Sequence, residues 1–251
     1  MVKVIMNGCN GHMGQVITGI IANDPEAEIV AGIDVHDEGK NSYPVFNSFE
    51  ASTVEADVVI DFSSPKAFDA MMDYCVAKQV PVIVCTTGLA EEQIKRLEDD
   101  SKKVAVLRSA NMSLGINLLL KLLKEAAKTL APAGFDIEIV EKHHNLKKDA
   151  PSGTALALAD SINEALDQKY TYKYDRSQDY EPREKYEIGI SAVRGGNIVG
   201  VHDVMFAGTD EVIEFTHTAY SKAVFGKGAV QAAKYLAGKP AGLYNMSDVI
   251  G

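Results

Sequence analysis

A glycine-rich turn, GCNGHMG at Gly8 to Gly14, follows a β-branched run from Val2 to Met6 and opens a segment of helical period from Met13 to Ala22. A strand that feeds a helix through small residues is the start of a βαβ crossover, and it commits this end of the chain to a parallel sheet. The spacing is GxxGxxG rather than GxGxxG, but the physics is similar: a tight turn, close backbone approach to a pyrophosphate, and close helix packing. Backbone N–H groups at such a helix start hold a phosphate without a basic side chain. That matters because 25 Lys and Arg against 35 Asp and Glu give a formal net charge of −10. A surface of that sign repels polyphosphate, so no nucleic-acid partner is expected. The alternative for the turn is a loop that only reverses the chain.

The first hundred residues continue the alternation. Strands are predicted at Val2 to Met6, Glu28 to Ile33, Asp57 to Asp61, Val80 to Cys85 and Val104 to Leu107, with helices at Met13 to Ala22, Pro65 to Lys78 and Glu91 to Ser101. From Ser113 the texture changes to a long helix-former, an extended run from Asp136 to Lys142 and a helix from Thr154 to Leu166. Tyr170 to Glu184 is polar and turn-rich. Three strands follow, Tyr186 to Arg194, Asn197 to Phe206 and Glu211 to Ala219, and short connections favour antiparallel pairing among them. A last helix covers Gly228 to Leu236. The fold class is α/β: a Rossmann dinucleotide-binding domain from residues 1–112 and 222–251, and a C-terminal α+β domain, residues 113–221, with an open mixed sheet.

No apolar stretch approaches the roughly 18 residues of a membrane span, and no leader pattern precedes the first strand, so a cytoplasmic protein without membrane contact is expected. Cys9, Cys75 and Cys85 have neither CxxC spacing nor clustered histidines, which suits reduced thiols and no metal.

Asp34 ends the second predicted strand twenty residues beyond Gly14, where a carboxylate accepts bonds from adenine ribose hydroxyls and repels a 2′-phosphate. The residue reads as a preference for NADH, with NADPH possible because His36 and Lys40 are near; the lesser alternative is an acid in a surface turn.

The densest chemistry is EIVEKHHNLKKDAPSGTA, from Glu138 to Ala155. His143, His144, Lys147 and Lys148 bring positive and titratable groups to a strand end. Pro151 disfavours helical geometry at Ala150, so a loop separates the strand from the next helix. Ser152, Gly153 and Thr154 at that helix start form a second anion site, suited to carboxylates. The bland alternative is a solvated basic loop. Adjacent histidines without a third ligand at suitable spacing do not make a metal centre.

This stretch resembles the signature of the dihydrodipicolinate reductase (4-hydroxy-tetrahydrodipicolinate reductase) family, E-[IV]-x-E-x-H-x(3)-K-x-D-x-P-S-G-T-A. It meets every fixed position: Glu138, Ile139, Glu141, His143, Lys147, Asp149, Pro151, Ser152, Gly153, Thr154 and Ala155. Further landmarks of that family are VVIDFSSP from Val58, CTTG from Cys85, SANMSLGIN from Ser109, RGGNIVGVH from Arg194 and AYSK ending at Lys222, so the resemblance covers the whole chain. Cys85, Met112, Asn145, Leu146 and Lys222 depart from the common family residues.

The resemblance implies reduction of 4-hydroxy-tetrahydrodipicolinate, via dihydrodipicolinate, with NAD(P)H in diaminopimelate and lysine biosynthesis by a homotetramer. It implies hydride addition at ring C4, a proton from Lys147, and His143 as a proton carrier or as an electrostatic anchor. It assigns the substrate carboxylates to His144, Lys147, Ser152, Gly153 and Thr154. Cofactor contacts carried over are Gly8, Cys9, Asn10, Gly11, His12, Met13, Asp34, Cys85, Thr86, Thr87, Ser109, Ala110, Asn111 and Met112. Thr86 and Thr87 read equally well as helix caps, and Met112 as core. Two rivals remain: an NADH-sensing regulator without catalysis, and a Rossmann dehydrogenase for another small acid.

Overall fold

The computed structural model describes residues 1–37, 39–177 and 180–251 of the protein. Residues 178 and 179, inside the polar segment after Tyr170, lie outside the described residues. Contacts divide the chain into two units, Met1–Ser113 with Ala223–Gly251, and Leu114–Lys222.

The first unit carries β1 (Val2–Asn7), α1 (His12–Ile21), β2 (Ala27–Ile33), β3 (Val45–Phe46), β4 (Val58–Asp61), α2 (Phe68–Lys78), β5 (Val82–Val84), α3 (Glu91–Ser101) and β6 (Ala105–Arg108). After the second unit the chain returns to it with α6 (Ala223–Leu236), β12 (Gly242–Tyr244) and α7 (Met246–Ile250). Its seven strands run β12-β6-β5-β4-β1-β2-β3, with every pair parallel. The expected Rossmann-type sheet is therefore present, and strand order reverses between β1 and β4. The two-residue period of β1 explains why both faces are covered. Val4 and Met6 pack with Ile17, Ala229, Val230 and Leu236 on the α1 and α6 side. Ile5 packs with Phe68, Met71 and Leu97 on the α2 and α3 side.

Three strands of two or three residues, β3, β8 and β12, and the five-residue helix α7 escape the sequence pattern because such short elements carry no readable period. The predicted helix from Pro65 begins as a 3-10 turn, Pro65–Ala67, before α2.

The second unit holds α4 (Leu114–Leu130), β7 (Asp136–His143), α5 (Gly153–Ala165), β8 (Thr171–Lys173), β9 (Glu187–Arg194), β10 (Gly200–Ala207) and β11 (Val212–Ala219). Its sheet runs β11-β10-β7-β9-β8 and is mixed. α4 and α5 cover one face through Leu119, Leu123, Leu158 and Ile162 against Ile137, Ile139, Ile190 and Phe206.

The expected antiparallel run of three strands holds only for β10 and β11. β9 lies on the other side of β7 and runs parallel to it. The physical reason is the connection through Gly195 and Gly196, which passes over the end of β7 instead of turning tightly. The Gly195 N–H donates to the His143 carbonyl at 2.9 Å, and the Asn145 N–H donates to the Gly196 carbonyl at 3.2 Å. Gly196 has φ +50°, which a glycine adopts without strain.

Candidate active site

Each unit carries a cluster of the expected residues, and the two are described separately. In the first, β1 ends in a turn whose geometry only glycine permits. Gly8 has φ +79°, and a Cβ there would meet the Phe62 carbonyl oxygen at 2.6 Å. A Cβ on Gly14 would meet the Gly8 oxygen at 2.2 Å, which is why α1 can start directly beneath the turn. Gly11 is the N-cap and supplies no side-chain cap, so the first-turn N–H groups from His12 and Met13 onward have no intrahelical acceptor. A cavity of about 430 Å³ opens beside this turn, at the carboxyl ends of β1, β2 and β4, lined by Gly8, Gly11, Asp34, Val35, Ser48, Phe49, Phe62 and Ser63.

Asp34 stands just past β2 at the cavity rim. Its Oδ2 accepts the Asn10 N–H at 3.0 Å, so the carboxylate fixes the turn as well as facing the cavity. Asn10 in turn accepts from the Asn41 amide at 2.8 Å and donates to the His36 carbonyl. Cys9 is fully buried, its thiol pushed up to about 11 by burial and by the Asp34 charge, so only its backbone is left for a ligand.

Thr86 is buried and Thr87 exposed beyond β5. Neither caps α3, because the N-cap is Ala90, whose N–H is taken by the Gln93 side chain at 3.1 Å. Burial and the neighbouring Asp61 raise the Cys85 thiol well above its ordinary value. Ser109, Ala110 and Asn111 follow β6, with the Asn111 side chain accepting from the Ser113 N–H at 2.8 Å. The Met112 side chain packs in the core with α6.

In the second half, the alternation of β7 puts Ile137, Ile139, Glu141 and His143 on the face that the helices cover. The last two of these are polar and lie at the strand end where α5 begins. His143 Nδ1 and Glu141 Oε2 are 2.6 Å apart. Glu141 is completely buried, yet its carboxyl is held below the ordinary range: burial pushes it up, and bonds from Arg194, His143 and the Ser152 N–H outweigh that. Arg194, beside His143 in the parallel register, makes two bonds of 2.7 Å to the Glu141 carboxylate. Across β10, the His202 ring meets that of His143 edge-on at 5.1 Å between centroids.

Lys147 lies in the turn after β7, its N–H on the His144 carbonyl at 3.1 Å and its Nζ 2.9 Å from Asp149 Oδ1. His144 is half-buried. Ser152 is buried at the start of α5. Its hydroxyl caps α5 by accepting the Ala155 N–H at 3.1 Å and lies 3.0 Å from His202 Nε2, and its N–H goes to Glu141. The open end of the helix is Gly153, with nothing within 4 Å of where a Cβ would stand. Glu141, Arg194 and His202 entered the sequence reading only as family landmarks. A glutamate two residues before a histidine in a strand was the available signal for their role.

Profiles of known families decide the affiliation. "Dihydrodipicolinate reductase, N-terminus" matches residues 2–112, and "Dihydrodipicolinate reductase, C-terminus" matches residues 115–250. The chain belongs to the dihydrodipicolinate reductase family. Curated relatives called 4-hydroxy-tetrahydrodipicolinate reductase include that of Caldanaerobacter subterraneus, 52% identical over 100% of this chain and 98% of the relative. Another, from Clostridium tetani, is 48% identical over 100% of this chain and 97% of its own. Among solved structures, a dipicolinate-bound dihydrodipicolinate reductase from Paenisporosarcina sp. TG-14 shares the fold with a TM-score of 0.83 at 24% identity, each chain covered to 100%. The family read from the residue signature is thus the family found. Among the described residues, no group of three potential metal ligands occurs, and no helix is long and apolar enough to cross a membrane.

Proposed function

We propose that this protein reduces 4-hydroxy-tetrahydrodipicolinate, by way of dihydrodipicolinate, to tetrahydrodipicolinate in lysine and diaminopimelate biosynthesis, with NADH as the preferred reductant. The observation that carries the reading is the placement of His143, Lys147 and the exposed Gly153 start of α5 at and just after the end of β7, a set of groups suited to a ring dicarboxylate.

The first unit fits a dinucleotide. The Gly14 contact leaves no room for a side chain under the turn, and the cavity brings Asp34 and the α1 start to one place. Gly8 to Met13 would hold the pyrophosphate, Asp34 the ribose hydroxyls, and the Cys85 to Thr87 and Ser109 to Asn111 backbones the nicotinamide end. When bound, the reduced nicotinamide supplies the hydride for ring C4. Asp34 favours NADH because its charge opposes a 2′-phosphate, and Val35 beside it offers no cation.

Lys147 delivers the proton that quenches the electron density left by hydride addition, and its pairing with Asp149 holds the ammonium at the site. His143 and His144 place ring nitrogens near the carboxylates, and Gly153 and Thr154 offer the start of α5 to one of them. The homotetramer is the natural assembly because β11 is an edge strand, and the sheet face turned away from α4 and α5 needs a cover. The cytoplasm is the expected compartment for a chain with three free thiols.

A coupled assay tests the reading: aspartate semialdehyde, pyruvate and the upstream synthase are supplied, and NADH oxidation is followed. Oxidation well above background supports it, with Lys147→Ala lowering kcat roughly 10²-fold or more while the KM for NADH stays near that of the parent. No oxidation refutes the activity, and equal or better efficiency with NADPH refutes the cofactor preference.

A further inference from the structure

Glu141 is a carboxylate with no exposure to solvent that receives four hydrogen bonds from three different parts of the second unit. They come from His143 Nδ1 at 2.6 Å, the Ser152 N–H at 2.9 Å and both terminal nitrogens of Arg194 at 2.7 Å. Arg194 uses the same guanidinium to reach the Asp149 carbonyl at 2.6 Å. The strand end, the helix start and the lysine-bearing loop are therefore referred to one buried group. Burying a carboxylate without compensation is costly, and the bidentate guanidinium supplies that compensation.

The arrangement has two chemical consequences. An ionised carboxylate only accepts, so the His143 nitrogen facing it carries the proton, and the neutral ring keeps its lone pair on Nε2. Nε2 lies at the opposite edge, 3.2 Å from where a Cβ on Gly200 would stand, so glycine there keeps that edge uncrowded. The second consequence is charge. Glu141 and Arg194 sum to zero, so a proton gained by His143 leaves the cluster with a net positive charge. Paired with Glu141 alone, the imidazolium would be cancelled. Arg194 thereby lets His143 act on a dianionic substrate.

We propose that Glu141 and Arg194 form a positioning pair for the reaction: Glu141 fixes the tautomer and orientation of His143, and Arg194 neutralises Glu141 and ties the Lys147 loop to it. The proposal rests on the reading of His143 as part of the substrate half-site.

The test uses the full-length protein and the variants Glu141→Gln, Arg194→Lys and His143→Ala. Steady-state kinetics are measured in the coupled assay, and long-range ¹H–¹⁵N correlations on protein with ¹⁵N-labelled histidine, in which His143→Ala assigns the His143 signals. The parent is expected to show the Nδ1–H form. Glu141→Gln offers an amide that donates as well as accepts; it is expected to move His143 toward the Nε2–H form and to lower kcat on the order of 10- to 100-fold. The KM for NADH should stay within about twofold, a split that general loss of structure would not give. Arg194→Lys keeps the charge but not the paired bonds. It is expected to lower kcat while retaining the Nδ1–H form, and it serves as the test if Glu141→Gln does not fold. Unchanged kcat or an unchanged tautomer in Glu141→Gln, with His143→Ala inactive, overturns the positioning role alone. Near-normal kcat in His143→Ala overturns the reading beneath it and the proposal together.

Discussion

His202 makes the second unit sensitive to acid, and the size of the effect follows from its surroundings. It lies on β10 opposite Glu141, 4% exposed, with Nε2 at the Ser152 hydroxyl. Burial, and after it the nearness of the His143 ring, lower its proton affinity from 6.5 to about 4. In the unfolded chain the ring takes up a proton near pH 6.5; in the folded protein it does so only near pH 4. Stability that is fully present above pH 6.5 is therefore lost as pH falls toward 4. At pH 4.5 the loss amounts to about 2.5 kcal/mol, since each pKa unit is worth 1.36 kcal/mol. His202→Gln keeps a polar group beside Ser152 and removes the titration. Urea unfolding followed by far-UV circular dichroism at pH 7.5 and 4.5 reads the difference. The parent's transition should move down by about 1 M more than that of the variant, for a urea slope of roughly 2 kcal/mol/M. Equal displacement of the two transitions would refute the assignment of this acid sensitivity to His202.

Other outcomes follow from the same coordinates. Gly14→Ala forces a Cβ to within 2.2 Å of the Gly8 oxygen and should weaken NADH binding at least tenfold, measured by fluorescence titration, while far-UV circular dichroism stays near that of the parent. Gly228→Ala places a Cβ 1.6 Å from the Met112 carbonyl oxygen, so α6 must shift, and urea unfolding should show a loss of about 1–3 kcal/mol. Asp61 is buried at the end of β4, and burial raises its carboxyl against bonds from Ser63 and Asn7. An acid that keeps its proton longer when folded stabilises at low pH and loses that contribution as pH rises from 3.8 through the folded value. Asp61→Asn should therefore flatten the decline of Tm with rising pH, and an unchanged slope would contradict the burial argument.

The parts of this molecule legible in the sequence are those in which one residue type does one physical job over a long enough stretch. The GCNGHMG turn announces itself because a tight strand-to-helix connection leaves few choices at Gly8 and Gly14. α3 and α4 show a clear helical period, and the alternation of β7 is plain from Asp136 to His143. The crossing of the Gly195–Gly196 connection over β7 was not legible, because a short glycine-bearing link between two strands reads as a hairpin whichever strand it spans. The same ignorance of pairing hid the candidate site. His143, Arg194 and His202 are neighbours only because β9 and β10 flank β7, and the bonds of the Ser152 hydroxyl with Ala155 and His202 follow from that pairing and from the start of α5.

The first unit is assembled from both ends of the chain, and this fixes an order in time. Ala229, Val230, Ala232, Ala233 and Leu236 of α6 fill the core beside Val4 and Met6, and β12 completes the sheet against β6. During synthesis, residues 1–113 wait with one flank of their sheet bare until the whole of the second unit has been translated. The second unit, continuous from Leu114 to Lys222, has every strand of its own sheet at hand earlier. The second unit can thus close its own sheet while the core of the first still waits for α6 and β12.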